Sequence, residues 1–491
     1  MTQFPIALEN KDLVGLLLLV AGSVVATLAM LIWPRLRVAA LFLIAAGTAT
    51  TGLLDLNVYS AYWYRGTTRG FEFTGLDVLA IGLLFSSLIT PKQGYPRWYW
   101  PASLGLMLLF LAYCAVTTMM ATPVVFSLFE LSKLARGLVF FLAAALFVRN
   151  ERDLAVLALA LALVVCFEAA LAVRERVLLG VYRAQGTLGH PNSLSMYLCL
   201  VAPVLVAAAC SDFAAWIRWT CWVAVGSATV AILLTLSRAG LPVFLLVTGG
   251  ALAVCSSWRP TPGKFVVGVL AVGVLGALVL KSWPLLVERY GQATLQEEYF
   301  SPSGETRGYY FRQAGVILDE RPFGVGLNNW SYWVSREYGQ RLGMRYENYD
   351  NITYAPPSDL LPGFRFAAPA HNLGALTAAE VGWVGLGLLS VLWLRWLQMG
   401  AVFLFSRRPD AIHRIGVGLC FGIVGVFLQS FTEWTFRQTQ IFLTFNVVAG
   451  VLAALYAVRK AQAATATEVE MEPVAAWSPA PVPAAFSAAD H

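Results

Sequence analysis

Apolar residues run through this chain in long unbroken blocks, without the alternation that marks a half-buried strand. Blocks long enough to cross about 30 Å of hydrocarbon fall near 13–33, 38–54, 74–90, 102–121, 124–148, 153–173, 193–210, 219–236, 241–256, 265–283, 370–397, 415–431 and 441–458. They predict an all-α polytopic membrane protein with about 12–13 transmembrane helices. No convincing small-residue cleavage site follows the first block, so it reads as a retained helix and not a signal peptide. Two stretches interrupt the rhythm. The polar segment 284–369 is too long for a plain connector and predicts a partly helical cap between two late helices. The Ala-, Pro- and acid-rich end cannot bury enough apolar surface to fold. The expected organisation is therefore ten helices over 1–283, the cap over 284–369, C-terminal helices over 370–460 and a disordered cytoplasmic tail over 461–491. No internal repeat is evident.

Composition agrees. Hydrophobic residues make up 58% and charged residues 13% of the 491, whereas soluble domains are nearer half apolar and a quarter charged. The seven cysteines all lie within or at the edges of apolar blocks, which suggests neither a disulfide framework nor a cysteine metal site. Charge adds a direction. If the blocks alternate, Arg35, Arg37, Lys92, Arg97, Arg149, Arg152, Arg218, Arg259, Lys264, Arg407, Arg408, Arg414, Arg459 and Lys460 share one side, which the positive-inside rule makes cytoplasmic. The other side receives 55–73, 174–192, the short link Ser237–Gly240, the cap, and FTEWTFRQTQ at 431–440. Arginines outnumber lysines 28 to 6. Arginine's planar fork suits phosphate, although a GC-rich genome explains the ratio as well.

The cap opens with RGYYFRQAGVILDERPFGVG, whose apolar spacing suits a helix ending near Arg321–Pro322, and continues through turn-rich NYDNITYAPPSDLLPG. It holds nine of the 18 tyrosines. Their flat faces either stack on sugar rings or fill the cap's own core and the interfacial belt.

Candidate chemistry concentrates on the outer side. Of four histidines, His491 ends the tail and His413 lies among arginines in a short loop, leaving His190 and His371 at the mouths of membrane helices. His190 and Asn192 precede SLSMYLCLVAPV, with Asn192 and Ser193 as natural N-caps. Arg238 sits in a very short link, and Arg307 and Arg312 flank the start of the cap helix. Charged groups at membrane depth are functional candidates by default, and helix N-termini attract anions. Two such mouths with two or three arginines suit a diphosphate. Plainer roles exist for each: His190 as a helix cap, Arg238 reaching lipid phosphates, and Glu130, Lys133 and Arg136 neutralising one another at i, i+3 spacing. Glu380 follows His371 by nine residues, about 13 Å along a helix and nearly on its opposite face, so it does not orient that imidazole. No His, Asp or Glu cluster has metal-ligand spacing.

GTLGHPNSLSMYL, LTLSRAGLPVFLL, RGYYFRQAGVILDERPFGVGLNNW and PAHNLGALTAAEVGWVGLGLL occur in that order, with the long loop before the last. Together, over about 180–400, they resemble the O-antigen ligase and polymerase superfamily of bacterial inner-membrane glycosyltransferases. The resemblance implies an enzyme without cofactor or metal, working at the periplasmic face on a glycan carried by undecaprenyl diphosphate. Its acceptor would be lipid A–core for a ligase, another lipid-linked glycan for a polymerase, or a protein for an O-oligosaccharyltransferase. Beyond these substrates its implied partners are membrane lipids, not nucleic acid. His371 would be the general base, Arg238 and either Arg307 or Arg312 would hold the diphosphate, and His190, Asn192, Asn372 and Lys133 are further substrate-contact candidates. A transporter or flippase is the rival class; it predicts internal repeats and mid-membrane charges.

Overall fold

The computed structural model describes residues 9–53, 56–93, 96–256, 306–352, 366–405 and 410–471, with scattered positions between 273 and 300. Nine helices come first: α1 (Asn10–Ile32), α2 (Arg35–Gly47), α3 (Gly75–Ile89), α4 (Leu104–Met119), α5 (Val124–Phe147), α6 (Glu151–Val173), α7 (Pro191–Cys210), α8 (Ala215–Thr235) and α9 (Gly240–Cys255). The cap helix α10 (Arg307–Glu320) follows, then α11 (Leu373–Phe405), α12 (Ala411–Gln429) and α13 (Thr439–Met471). Strands β1 (Leu56–Val58) and β2 (Phe71–Phe73) pair antiparallel in the first outer loop.

The chain is an all-α polytopic membrane protein. Among the described residues seven helices are long and apolar enough to cross a membrane: α1, α6, α7, α8, α11, α12 and α13. The helices α3, α4 and α9 are apolar but shorter, and α5 carries Glu130, Lys133 and Arg136. The apolar block expected at 265–283 lies largely outside the described residues. The last helix differs from expectation, continuing to Met471 instead of stopping at 460. Ala, Glu and Met are strong helix formers.

Helix α7 forms the centre, buried almost throughout and packed between α8, α9 and α12. Helix α1 lies at the edge, its leucines and valines exposed, as lipid contact permits. Among the described residues, several of the basic residues assigned to one side are tied at helix ends. Lys92 pairs with Asp153, Arg459 pairs with Asp410, Arg37 Nη1 donates to Thr90 O at 2.6 Å and Arg414 Nη1 to Cys210 O at 2.6 Å.

The cap locks into the helices. Helix α11 is broken at Gly382, whose φ of +72° is open to glycine but strained for other residues. A Cβ there would also lie 2.3 Å from Pro322 O. The segment after α10 fills the break: Val325 N donates to Ala379 O at 3.0 Å, Gly326 N to Glu380 O at 2.8 Å and Trp383 N to Pro322 O at 3.3 Å. Tyr113 from α4 donates to Val381 O at 2.9 Å. Non-helical backbone at membrane depth survives only when protein satisfies it in this way.

The cap's aromatics resolve mainly to its own core. Trp330, Tyr332, Tyr338 and Tyr349 are buried, packed with Trp63 and Tyr64 of the first outer loop. Asn328 is the pin: its side chain donates to Thr68 O at 2.8 Å and Phe126 O at 3.0 Å and accepts from Thr67 N at 2.7 Å.

Candidate functional site

His371 lies just before α11, where Asn372 caps the helix by accepting from Ala375 N at 2.8 Å. The Asn372 amide also donates to Phe431 O at 2.7 Å, and Leu373 N donates to Ser430 O at 3.0 Å. Asn372 is therefore committed to fastening the mouth of α11 onto the loop after α12. That loop supplies a residue the sequence pattern left unmarked. Glu433 Oε2 lies 3.0 Å from His371 Nδ1. The carboxylate is buried while the imidazole is about one-third exposed, at 5% and 35%. Tyr310 from α10 and Trp434 flank the ring, with centroids at 6.0 and 5.7 Å.

Glu433 also joins the two histidine-bearing mouths. Its Oε1 accepts from Asn192 Nδ2 at 2.6 Å. Asn192 Oδ1 in turn accepts from Arg183 Nη2 at 2.7 Å and from Ser237 Oγ at 3.3 Å. Arg183 Nε donates to Thr235 O at 2.9 Å. A chain of polar contacts thus runs from His371 through Glu433 and Asn192 to the link carrying Arg238. His190 caps α7 itself: its Nδ1 accepts from Asn192 N at 3.2 Å, and Pro191 occupies the first helical position. Of the caps the sequence offered, Asn192, Ser193 and His190, it is His190 that serves, because Pro191's fixed φ suits the first helical position. Its crowding in the mouth lowers the His190 pKa; Arg183 and His371 add to that, and Glu433 opposes it.

The arginines approach from separate segments. Leu236 ends α8 in the left-handed region, φ +48°, a strained conformation for a branched residue and one that recurs at functional sites. This turn sets up Ser237 and Arg238. Gly240, two residues on, has α7 against it: a Cβ there would lie 1.7 Å from Ser195 Oγ. Arg183 is half-buried, its pKa lowered first by burial and then by Arg289, with Arg238 acting in the same direction. These three guanidiniums therefore feel one another's charge. Arg307, at the start of α10, donates from Nε to Thr432 O at 3.4 Å, beside Glu433. Arg312 is exposed, five residues further along the same helix.

Lys133 is elsewhere. It is buried, paired with Glu130 at 2.8 Å, and its Nζ donates to Thr68 Oγ1 at 3.0 Å and Arg437 O at 2.8 Å. Those partners enclose it away from His371, in the network that also holds Glu130 and Arg437. Arg437 bridges Glu130 at 3.3 Å and Glu380 at 2.8 Å, so Glu380 has a partner of its own. Arg136 also leaves the expected triplet, gripping Asp77 of α3 bidentately at 2.8 and 2.9 Å. Among the described residues no group of three or more His, Cys, Asp or Glu side chains is placed to hold a metal.

Fold and site together define a polytopic membrane protein with a histidine–carboxylate cluster at a basic mouth between helix ends. Residues 223–390 match the O-antigen ligase family model, which supports a place in the O-antigen ligase superfamily. The match takes in Arg238, Arg307, Arg312 and His371, starts after His190 and Asn192, and ends before Glu433. No curated protein matches the chain.

Proposed function

We propose that this protein transfers a glycan from undecaprenyl diphosphate to a sugar hydroxyl of lipid A–core, at the periplasmic face of the inner membrane. The family match supports glycan and lipid-linked substrates in general; the particular donor and acceptor are part of the proposal. The observation that carries the chemistry is the state of His371. Its Nδ1 is committed to a buried carboxylate, and among the described residues its Nε2 has no protein partner.

A neutral imidazole nitrogen with a free lone pair can accept a hydroxyl proton. The acceptor O–H proton passes to Nε2 of His371, and the oxygen attacks the anomeric carbon. The bond from that carbon to the phosphate oxygen breaks, and the diphosphate leaves with the electron pair. Attack opposite the leaving group inverts the anomeric centre. General-base assistance of this kind contributes about 10²–10⁴-fold. The negative charge that grows on the diphosphate needs fixed cations, often the largest single contribution to such a reaction. Arg238 and Arg307 are assigned to it, with Arg183 alongside. Arg307 is preferred over Arg312 because it reaches the loop beside Glu433. No metal is assigned a part.

The test is purified protein with undecaprenyl-diphosphate-linked glycan and lipid A–core, with and without chelator. Glycan appearing on lipid A–core supports the reading. Elongated lipid-linked glycan with nothing on lipid A–core points instead to the polymerase reaction, and loss of transfer in chelator overturns the metal-free step.

A further inference from the structure

Resting on that reading, we propose that Glu433 is the positioning residue for His371: it accepts a hydrogen bond from Nδ1–H and so fixes the tautomer whose Nε2 lone pair faces the acceptor hydroxyl.

The carboxylate is placed for this and for little else. At 5% exposure it is too enclosed to serve as a second exposed base, and both its oxygens are taken. Oε2 meets His371 Nδ1 at 3.0 Å and Oε1 accepts from Asn192 Nδ2 at 2.6 Å. A buried carboxylate is tolerated only when paired and hydrogen-bonded, and the ring nitrogen completes that set. The hydrogen bond made by one imidazole nitrogen decides which proton state the other presents. A carboxylate on Nδ1 holds the ring as the Nε2-unprotonated form and stabilises the imidazolium formed during transfer.

Asn192 gives the arrangement its stiffness. Its carbonyl oxygen is held by Arg183 and Ser237, so the carboxylate cannot rotate away without breaking contacts to the α8–α9 link. The base and the diphosphate arginine Arg238 are thereby positioned against one another by a single polar chain. Other charged and titratable groups face this pair from every side. His190 and Arg183 lie on the α7 side, Arg238 and Arg289 next to Arg183, and Arg307 and Tyr310 on α10.

The experiment compares Glu433→Gln, Glu433→Asp and His371→Ala in full-length protein with lipid-linked donor and lipid A–core. It records transfer against pH and the ¹⁵N shifts of selectively labelled histidine. Glutamine keeps the shape but lacks the charge. The expected result is a kcat drop of about 10²–10⁴-fold, a donor KM changed by less than about threefold, and an acidic limb moved to lower pH. Asp should recover part of the rate. The His371 resonance should also lose its Nδ1-protonated signature in Glu433→Gln, a readout that a purely structural role leaves unmoved. Wild-type kcat and an unchanged limb in Glu433→Gln, with His371→Ala inactive, overturn this inference alone. Full transfer by His371→Ala overturns the underlying reading instead. If Glu433→Gln unfolds, the histidine spectrum of Glu433→Asp decides, since a displaced carboxylate must still shift the Nδ1 signal.

Discussion

Two sets of charges lie at the capped end of this protein, and they are built on opposite terms. Glu130, Lys133, Glu380 and Arg437 form a closed network of two acids and two bases, all buried. Each has its counter-charge; the Thr67 hydroxyl donates to Glu130, the Trp330 N–H to Glu380, and Lys133 also donates to Thr68 Oγ1 and Arg437 O. His371 and Glu433 form an open pair: the acid is buried and committed, the base is partly exposed and committed on one nitrogen. A closed network resists change because any lost member strands a charge in a low-dielectric interior. An open pair costs less to alter structurally and more to alter chemically. Charge buried among membrane helices, by itself a sign of function, is here paired throughout, and the proposed chemistry sits where the charges are incompletely satisfied.

The sharpest way to break this contrast is to exchange the expected phenotypes. His371→Ala should lower transfer by about 10²–10⁴-fold with no change in the temperature of unfolding in detergent. Arg437→Ala should lower stability by about 3–5 kcal/mol, seen as an earlier unfolding transition and poor recovery of folded protein. An inactive but fully stable Arg437→Ala would move the closed network into the site.

A second comparison lies within the network. Removing Arg437 alone leaves Glu380 and half of Glu130 uncompensated, whereas Arg437→Leu with Glu380→Leu removes a cation and an acid together. The double variant should be more stable than the sum of the singles, with a coupling of about 0.5–3 kcal/mol. Strict additivity by thermal unfolding would mean that these charges are not sharing a buried environment.

Smaller still is the difference between two arginines on one helix. Arg307→Ala should raise the donor KM by about tenfold, as loss of a charge-assisted contact worth about 1.5–3 kcal/mol would. Arg312→Ala, at an exposed position, should change it by less than about twofold, in line with exposed charges generally. Equal effects in a titration of lipid-linked donor would remove the preference for Arg307.

How much of this was legible in the sequence follows from the range of each interaction. The apolar blocks announced the helices because lipid contact demands long apolar surfaces whatever the tertiary arrangement. His371 stood out through scarcity and position. Glu433 carried no such mark. It is a lone acid in a short aromatic loop, and it meets His371 across 62 residues and Asn192 across 241, separations at which no periodicity operates. The i, i+3 spacing gave Glu130–Lys133 correctly but could not show that Arg136 turns to Asp77 on another helix. The break at Gly382 was also silent. EVGWVGLGLL reads as continuous helix, and only the backbone of 322–326 lying against it reveals why a glycine stands there.

The smallest expected effect tests whether the open site carries a cost of its own. His190 lies beside the pair, exposed on one side, with its pKa lowered chiefly by burial in the mouth and further by Arg183 and His371. The folded state therefore binds a proton less readily than the unfolded chain, whose histidine titrates near 6.5. Above that pH the ring is neutral in both states and the linkage is silent. As pH falls below 6.5 the unfolded chain takes up the proton first, so stability is lost until the pH passes the folded value. His190→Asn keeps a capping side chain but cannot titrate. The unfolding temperature of wild type should fall slightly more than that of His190→Asn between pH 8 and pH 5.5. A wild type that gains stability over this range relative to the variant would mean that Glu433 dominates the field at His190, and that the mouth is anionic where the diphosphate is meant to bind.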